Sequence, residues 1–255
     1  MIHIDHLYKS FADKIVLEDI TTDFLKGNTN LIIGRSGSGK TVLLKSIVGL
    51  FEIDSGNIYY DDRNFTTMKQ KERKELRKEI GMVFQGGALF DSLTVEENVR
   101  FPLDMFTNQT MVEKQKRVDF CLDRVNISKD AQKLSPSEIS GGMKKRVAIA
   151  RAIALNPPYL FCDEPNSGLD PETSIVIDQL IRDITIELNI TTIINTHDMN
   201  SVMEIGDKIL FISEGRKEWE GNKTEILYTK NKKLQDFVFA NRQYKQIRDD
   251  HRENN

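Results

Sequence analysis

Leu31-Ile32-Ile33-Gly34-Arg35-Ser36-Gly37-Ser38-Gly39-Lys40-Thr41 reads as a short apolar strand, a glycine-rich turn and the opening of a helix. The turn fits the pattern Gly-x-x-x-x-Gly-Lys-Ser/Thr. Its glycines let the backbone bend tightly enough for successive N–H groups to point inward at phosphate oxygens. The helix that follows contributes the partial positive charge of its N-terminus, and its spacing continues through Val42, Leu43, Ser46, Ile47 and Leu50. The stretch therefore predicts a phosphate-binding loop inside an α/β core. Gly34, Arg35, Ser36, Gly37, Ser38, Gly39, Lys40, Thr41 and Val42 are expected to hold ATP. Lys40 should reach the β- and γ-phosphates, and the Thr41 hydroxyl should bind Mg2+.

The rest of the chain supports that core. Before the loop, Ile2–Tyr8 and Ile15–Phe24 read as strands separated by turns. After it, Gly56–Tyr60 and Ile80–Phe84 read as strands, with a charged helix between them from Lys69 to Lys78. From about residue 87 to 157 the pattern becomes helix after helix, as in an inserted subdomain. Tyr159–Asp163, Thr191–Thr196 and Lys208–Ser213 are short apolar runs bounded by turns or polar residues, as in the strands of a parallel sheet. A helix from Pro171 to Leu188 crosses between the first two. Charged residues make up 29% of the 255 residues and the net charge is −3, so nothing global points to a nucleic-acid partner. No apolar run approaches the length of a membrane span. Cys121 and Cys162 lie in core-like segments without metal-ligand spacing, and are expected to be buried thiols in a reducing compartment.

Tyr159-Leu160-Phe161-Cys162 ends in two adjacent acids, Asp163 and Glu164. A strand buried on both faces can carry charge only at its open carboxyl end, where the phosphate loop of a neighbouring strand also ends. Asp163 is expected to hold Mg2+ through its water shell, and Glu164 to polarise the attacking water. His197 follows the run Thr191–Thr196 on the same edge and could donate a hydrogen bond to the γ-phosphate.

Ile139-Ser140-Gly141-Gly142-Met143-Lys144-Lys145-Arg146, followed by the helical Val147-Ala148-Ile149-Ala150-Arg151-Ala152-Ile153-Ala154-Leu155, resembles the signature of the ABC ATPases, Leu-Ser-Gly-Gly-Gln-x-x-Arg. The resemblance covers about residues 1–228. It implies an α/β P-loop fold with a mostly parallel core sheet, an antiparallel β-subdomain and a helical subdomain at about 87–157, leaving 229–255 as an extension. It implies a homodimer in which Ser140, Gly141 and Gly142 cap the ATP held by the other subunit. Gln85 matches the Q-loop glutamine, a contact of Mg2+ and the γ-phosphate. Ser167-Gly168-Leu169-Asp170 matches the D-loop, His197 the switch histidine, and Phe11 the aromatic that stacks on adenine.

Two departures refine the resemblance. Ile139 stands where leucine is usual, and Met143 where glutamine is usual. With the segment Gln85–Leu103, the Met143–Arg146 form resembles the ATPases of MCE-type, Mla-like phospholipid transporters. That likeness implies a membrane permease, a periplasmic MCE-domain protein, the small regulatory subunit found in parts of the family, and a place on the cytoplasmic face of the inner membrane. A small-solute importer ATPase and the soluble ATPase of iron–sulfur cluster assembly are the alternatives. DNA-repair relatives are set aside because residues 42–138, between loop and signature, contain no heptad run. The tail from Lys230 is polar and expected to be solvated, except that Leu234, Phe237 and Val238 form an apolar stripe that should dock on its own core or on the partner subunit.

Overall fold

The computed structural model describes residues 1–239. In chain order the elements are β1 (Ile2–Phe11), β2 (Lys14–Phe24), β3 (Thr29–Ile33), α1 (Lys40–Ile47), β4 (Ser55–Tyr60), β5 (Arg63–Asn64), α2 (Gln70–Lys78), β6 (Ile80–Val83), α3 (Val95–Phe106), α4 (Met111–Arg124) and α5 (Gly141–Ala152). There follow β7 (Tyr159–Asp163), α6 (Pro171–Glu187), β8 (Thr191–Thr196), α7 (Met199–Ile205), β9 (Lys208–Ser213), β10 (Arg216–Gly221) and α8 (Lys232–Val238). They gather into two compact units. Among the described residues, one comprises Met1–Thr67 and 195–239; the other is Met68–Ile194. Strand β8 starts in the second and ends in the first.

In the first unit, β2, β1, β4 and β5 form an antiparallel sheet in that order. Ile2 and Ile4 of β1 face the core in alternation, and Leu7 does so again after a register shift; all three are fully buried, and Ile2 lies opposite both Phe24 and Tyr60. Strand β3 pairs in parallel with β9, Ile32 opposite Leu210, and β9 pairs antiparallel with β10. All five residues of β3 are buried, which is why the sequence there is a run and not an alternation.

In the second unit, β8, β7 and β6 are neighbours in that order, and β6 runs parallel to β7 with Val83 opposite Cys162. Helices α3, α4 and α5 occupy the helical stretch expected from the sequence. Their starts are capped: Thr94 and Glu97 exchange bonds at α3, Thr110 and Glu113 at α4, and the Ser140 hydroxyl accepts the Met143 N–H at α5. Both cysteines are buried free thiols. Among the described residues, no helix is long and apolar enough to cross a membrane.

The sequence reading missed β10 and α7. It also undercounted the tail. Residues 230–239 are not a solvated end: α8 buries Leu234, Val238 and the following Phe239, and Phe237 packs against Phe211 of β9 at 5.5 Å between ring centroids. The stripe docks on its own unit. The tail beyond Phe239 lies outside the described residues.

Candidate functional site

The first unit contains the phosphate loop. Gly34 has a φ of 151°, and a side chain there would run into the carbonyl oxygen of Ile212. Gly37, with φ 79°, has open space where a Cβ would stand, so the loop forms a cradle free of side chains at its bend. Lys40 is 6% exposed, and its ammonium donates to the carbonyls of Gly34 (2.9 Å) and Arg35 (3.2 Å), so the loop wraps its own cation. The Ser38 hydroxyl is buried without a hydrogen-bond partner, as suits a donor awaiting an acceptor. The loop rests on the β9–β10 turn: Gly215 N–H donates to the Ser38 carbonyl at 3.1 Å, and the Gly215 carbonyl accepts from Glu18 N–H at 2.8 Å. A buried cation, a cradle and an unsatisfied hydroxyl fit the polyphosphate of ATP.

Thr41 and Val42 are half-buried in the first turn of α1. The Thr41 hydroxyl accepts a hydrogen bond from the Asn195 side-chain amide at 3.0 Å. A half-buried hydroxyl whose rotamer is held in this way fits an oxygen ligand for Mg2+. His197, just past β8, is exposed. Phe11 ends β1 and is 42% exposed. Phe51 meets it edge-on at 5.2 Å, and the Lys9 ammonium stands 5.0 Å from its ring centroid. Asp54 fixes that arrangement by accepting from Lys9 Nζ (3.1 Å) and from the Ser10 N–H (2.5 Å), and its carboxyl is held below the usual range chiefly by the Lys9 bond.

The second unit contains the remaining expected residues. Asp163, 7% exposed, closes β7, and Glu164 follows at φ 49°, a left-handed conformation that ends the strand abruptly. Gln85, exposed just past β6, donates to the Ser167 hydroxyl at 3.0 Å and so links the segment after β6 to the segment after β7. Its carbonyl accepts from Lys145 of α5, a buried lysine whose pKa burial pushes down. Ser140, Gly141, Gly142, Arg146, Asp170 and Thr173 line a cavity of about 530 Å³. Asp170 caps α6 by accepting from Thr173 N–H at 2.9 Å.

An apolar groove of about 430 Å³ lies beside Gln85, lined by Phe84, Ala88, Phe90, Phe101, Pro102 and Phe106. Arg151 holds its rim by donating to the carbonyls of Ala88 (2.8 Å) and Gly87 (2.7 Å). Asn98 exchanges bonds with the backbone of Phe90. Phe90 is 42% exposed and stacks on Phe101 at 4.7 Å. Sequence reasoning singled out the segment Gln85–Leu103 as a whole, but gave no role to Arg151, Asn98, Lys145, Asn195, Phe51 or Asp54. Asn98 lies in the segment Gln85–Leu103, Lys145 in the signature-like stretch and Arg151 in the helix after it, yet their partners are set by the fold; Asn195, Phe51 and Asp54 belong to no local motif.

Comparison with known proteins comes down on one family. The family model described as "ABC transporter" matches residues 17–167. The chain is 38% identical over 238 residues to the methionine import ATP-binding protein MetN of Clostridioides difficile, covering 93% of this chain and 74% of that one. It is 39% identical over 208 residues to the "probable ribonucleotide transport ATP-binding protein mkl" of Mycobacterium leprae, covering 82% of this chain and 60% of that one. Among solved structures, cbiO1 of Clostridium perfringens, part of the ABC transporter complex cbiONQ, superimposes with a TM-score of 0.83 at 30% identity, over 96% of this chain and 98% of that one. A dimeric ATP-binding cassette bound to ADP and Pi gives 0.79 at 32% identity, over 88% and 99%.

Proposed function

Because this chain belongs to the ABC transporter family, we propose that it is the ATP-hydrolysing subunit of an ABC transporter and works as a homodimer beneath a membrane permease. The observation that carries this reading is the phosphate cradle: Lys40 buried among its own loop carbonyls, with the unsatisfied Ser38 hydroxyl beside it. On binding, phosphate oxygens replace the carbonyls as partners of Lys40, a charge-assisted exchange. Thr41 and Asp163, with Gln85, would hold Mg2+, which neutralises charge developing on the phosphates. Glu164 accepts a proton from water as it attacks the γ-phosphorus. The bond from that phosphorus to the β-γ bridging oxygen breaks, and ADP leaves with the electron pair. His197 contacts the γ-phosphate, Phe11 stacks on adenine, and Ser140, Gly141, Gly142 and Asp170 serve the site across the dimer. The ATPase domain spans 1–228, with 229–255 as an extension, and the subunit sits peripherally on the cytoplasmic face of the cell membrane.

For the transported substrate, the names of the relatives favour import of a small solute, since the MetN protein is named for methionine import. The phospholipid reading, with an MCE-type partner, rests on Met143–Arg146 and the segment Gln85–Leu103 alone; the names of these relatives lend it no support. Soluble iron–sulfur assembly is disfavoured by the same names.

Two measurements test the proposal. Glu164→Gln should bind MgATP but hydrolyse it at least about a hundredfold more slowly, as expected for loss of a general base. Lys40→Ala should lose affinity for ATP as well. Full hydrolysis by Glu164→Gln would overturn the catalytic assignment. In a deletion strain, defective uptake of a small solute with a normal envelope supports the importer; altered envelope lipid with normal uptake supports the phospholipid reading.

A further inference from the structure

Asn195 is an odd residue for its place. It sits in β8 within Thr191-Thr192-Ile193-Ile194-Asn195-Thr196, where all six residues are buried, and Asn195 itself is 0% exposed. Burying a carboxamide costs free energy unless it is hydrogen-bonded, so the bonds it makes bear on its use. Its side-chain amide donates to the Thr41 hydroxyl, 154 residues away in sequence, at 3.0 Å.

A threonine hydroxyl has two lone pairs and one proton. With one lone pair taken by the Asn195 amide, the hydroxyl is held in one rotamer, and its other lone pair is committed to a single direction. A free threonine would divide its population among staggered rotamers and would have to be ordered when a cation arrives. The same strand ends one residue on, at Thr196, immediately before His197. The strand that leads to the γ-phosphate contact therefore also fixes the hydroxyl expected to bind the cation.

We propose that Asn195 is a positioning residue for Mg2+: its side-chain amide holds Thr41 in the rotamer that ligates the cation of MgATP, and thereby sets the cation dependence of nucleotide affinity. This rests on the reading of Thr41 as a Mg2+ ligand. Partners that orient a ligand in this way typically change metal affinity about ten- to a hundredfold when removed.

The test measures nucleotide binding instead of turnover. ATP affinity is titrated by calorimetry on the full-length protein with EDTA, and again over a series of Mg2+ concentrations. Two substitutions remove the amide: Asn195→Leu keeps its shape, and Asn195→Val suits a buried strand should the leucine perturb folding. Affinity in EDTA should stay at the wild-type value, while the Mg2+ concentration giving half of the affinity gain rises about tenfold or more. In a Thr41→Ala background, Asn195→Leu should add nothing, because the two act as one unit. A wild-type Mg2+ profile in a folded Asn195→Leu or Asn195→Val protein overturns the inference. If Thr41→Ala also keeps the wild-type profile, the reading of Thr41 as ligand fails instead. If Thr41→Ala alone abolishes the gain, that reading stands and the role of Asn195 is refuted.

Discussion

Phe11 illustrates how much of a site depends on residues that carry no motif. Its ring has Phe51 at one edge and Lys9 over it, and Lys9 is held in turn by Asp54. If Phe11 stacks on the base of ATP, Phe11→Ala should raise the KM for ATP about tenfold, the effect of losing one base-stacking contact, with little change in kcat. Affinity for inorganic tripolyphosphate, which has no base, should not change; an equal loss for both ligands would refute stacking. Phe51→Ala should give a smaller effect of the same kind. The two thiols offer a second check. Burial pushes Cys121 up to about 11 and Cys162 higher still, so neither forms thiolate at neutral pH. The native protein should not react with a thiol-specific reagent at pH 7.5, and two thiols should appear in denaturant. Because the unfolded chain releases these protons near pH 9.0 while the folded chain keeps them, their contribution makes stability fall as pH rises from 9.0 toward 11. Gly34–Thr41, Asp163 and Glu164 were legible because glycine, lysine and paired acids at strand ends are chemically conspicuous. Asn195 was not, because a polar letter among the threonines and isoleucines of β8 gives no sign of which distant hydroxyl it will meet.

At the scale of elements, strands buried on both faces were the easiest to read, since β3 carries Leu-Ile-Ile, β7 Tyr-Leu-Phe-Cys, and β8 Ile-Ile among β-branched threonines. Strand β10 was hidden because Arg-Lys-Glu-Trp-Glu-Gly alternates nothing apolar; it forms on the ladder that β9 offers. Helix α8 was legible as a stripe but not in where it docks. Leu234 is fully buried, so Leu234→Ala should cost about 2–4 kcal/mol in denaturant unfolding. Lys233 pairs with Glu214 and Glu218 while about half exposed, and Lys233→Ala should cost much less than Leu234→Ala. A reversed ranking would show that charge and not burial holds the helix. The groove beside Gln85 is the element through which a permease helix should be felt. Phe90→Asp should leave ATP affinity within about twofold of wild type, because Phe90 is held by Asn98, Phe101 and Arg151, yet abolish co-purification with the permease. Retained co-purification would remove the groove from the interface.

Over the whole molecule, the cavity between Ser140 and Asp170 has no assigned use within a single chain. If it receives the ATP of a second copy, hydrolysis per molecule should rise with protein concentration, and Ser140→Arg should abolish it without changing ATP affinity of the monomer. A dilute monomer turning over at the full rate would contradict a shared site. The division into two units has a different consequence, one of timing. The second unit is continuous in sequence, but the first is not: Thr29 waits for Asp207, 178 residues later, before its N–H and hydroxyl can be satisfied, and β3 waits equally for β9. A ribosome adds about 5–20 residues per second, so the phosphate loop emerges roughly 10–40 s before the strand and turn that hold it. During that interval the nascent chain carries an exposed Leu-Ile-Ile edge, and the second unit has the opportunity to fold first. The segment that defines the chemistry is among the first made and among the last to take its working shape, which makes the early chain the stage at which chaperones matter most.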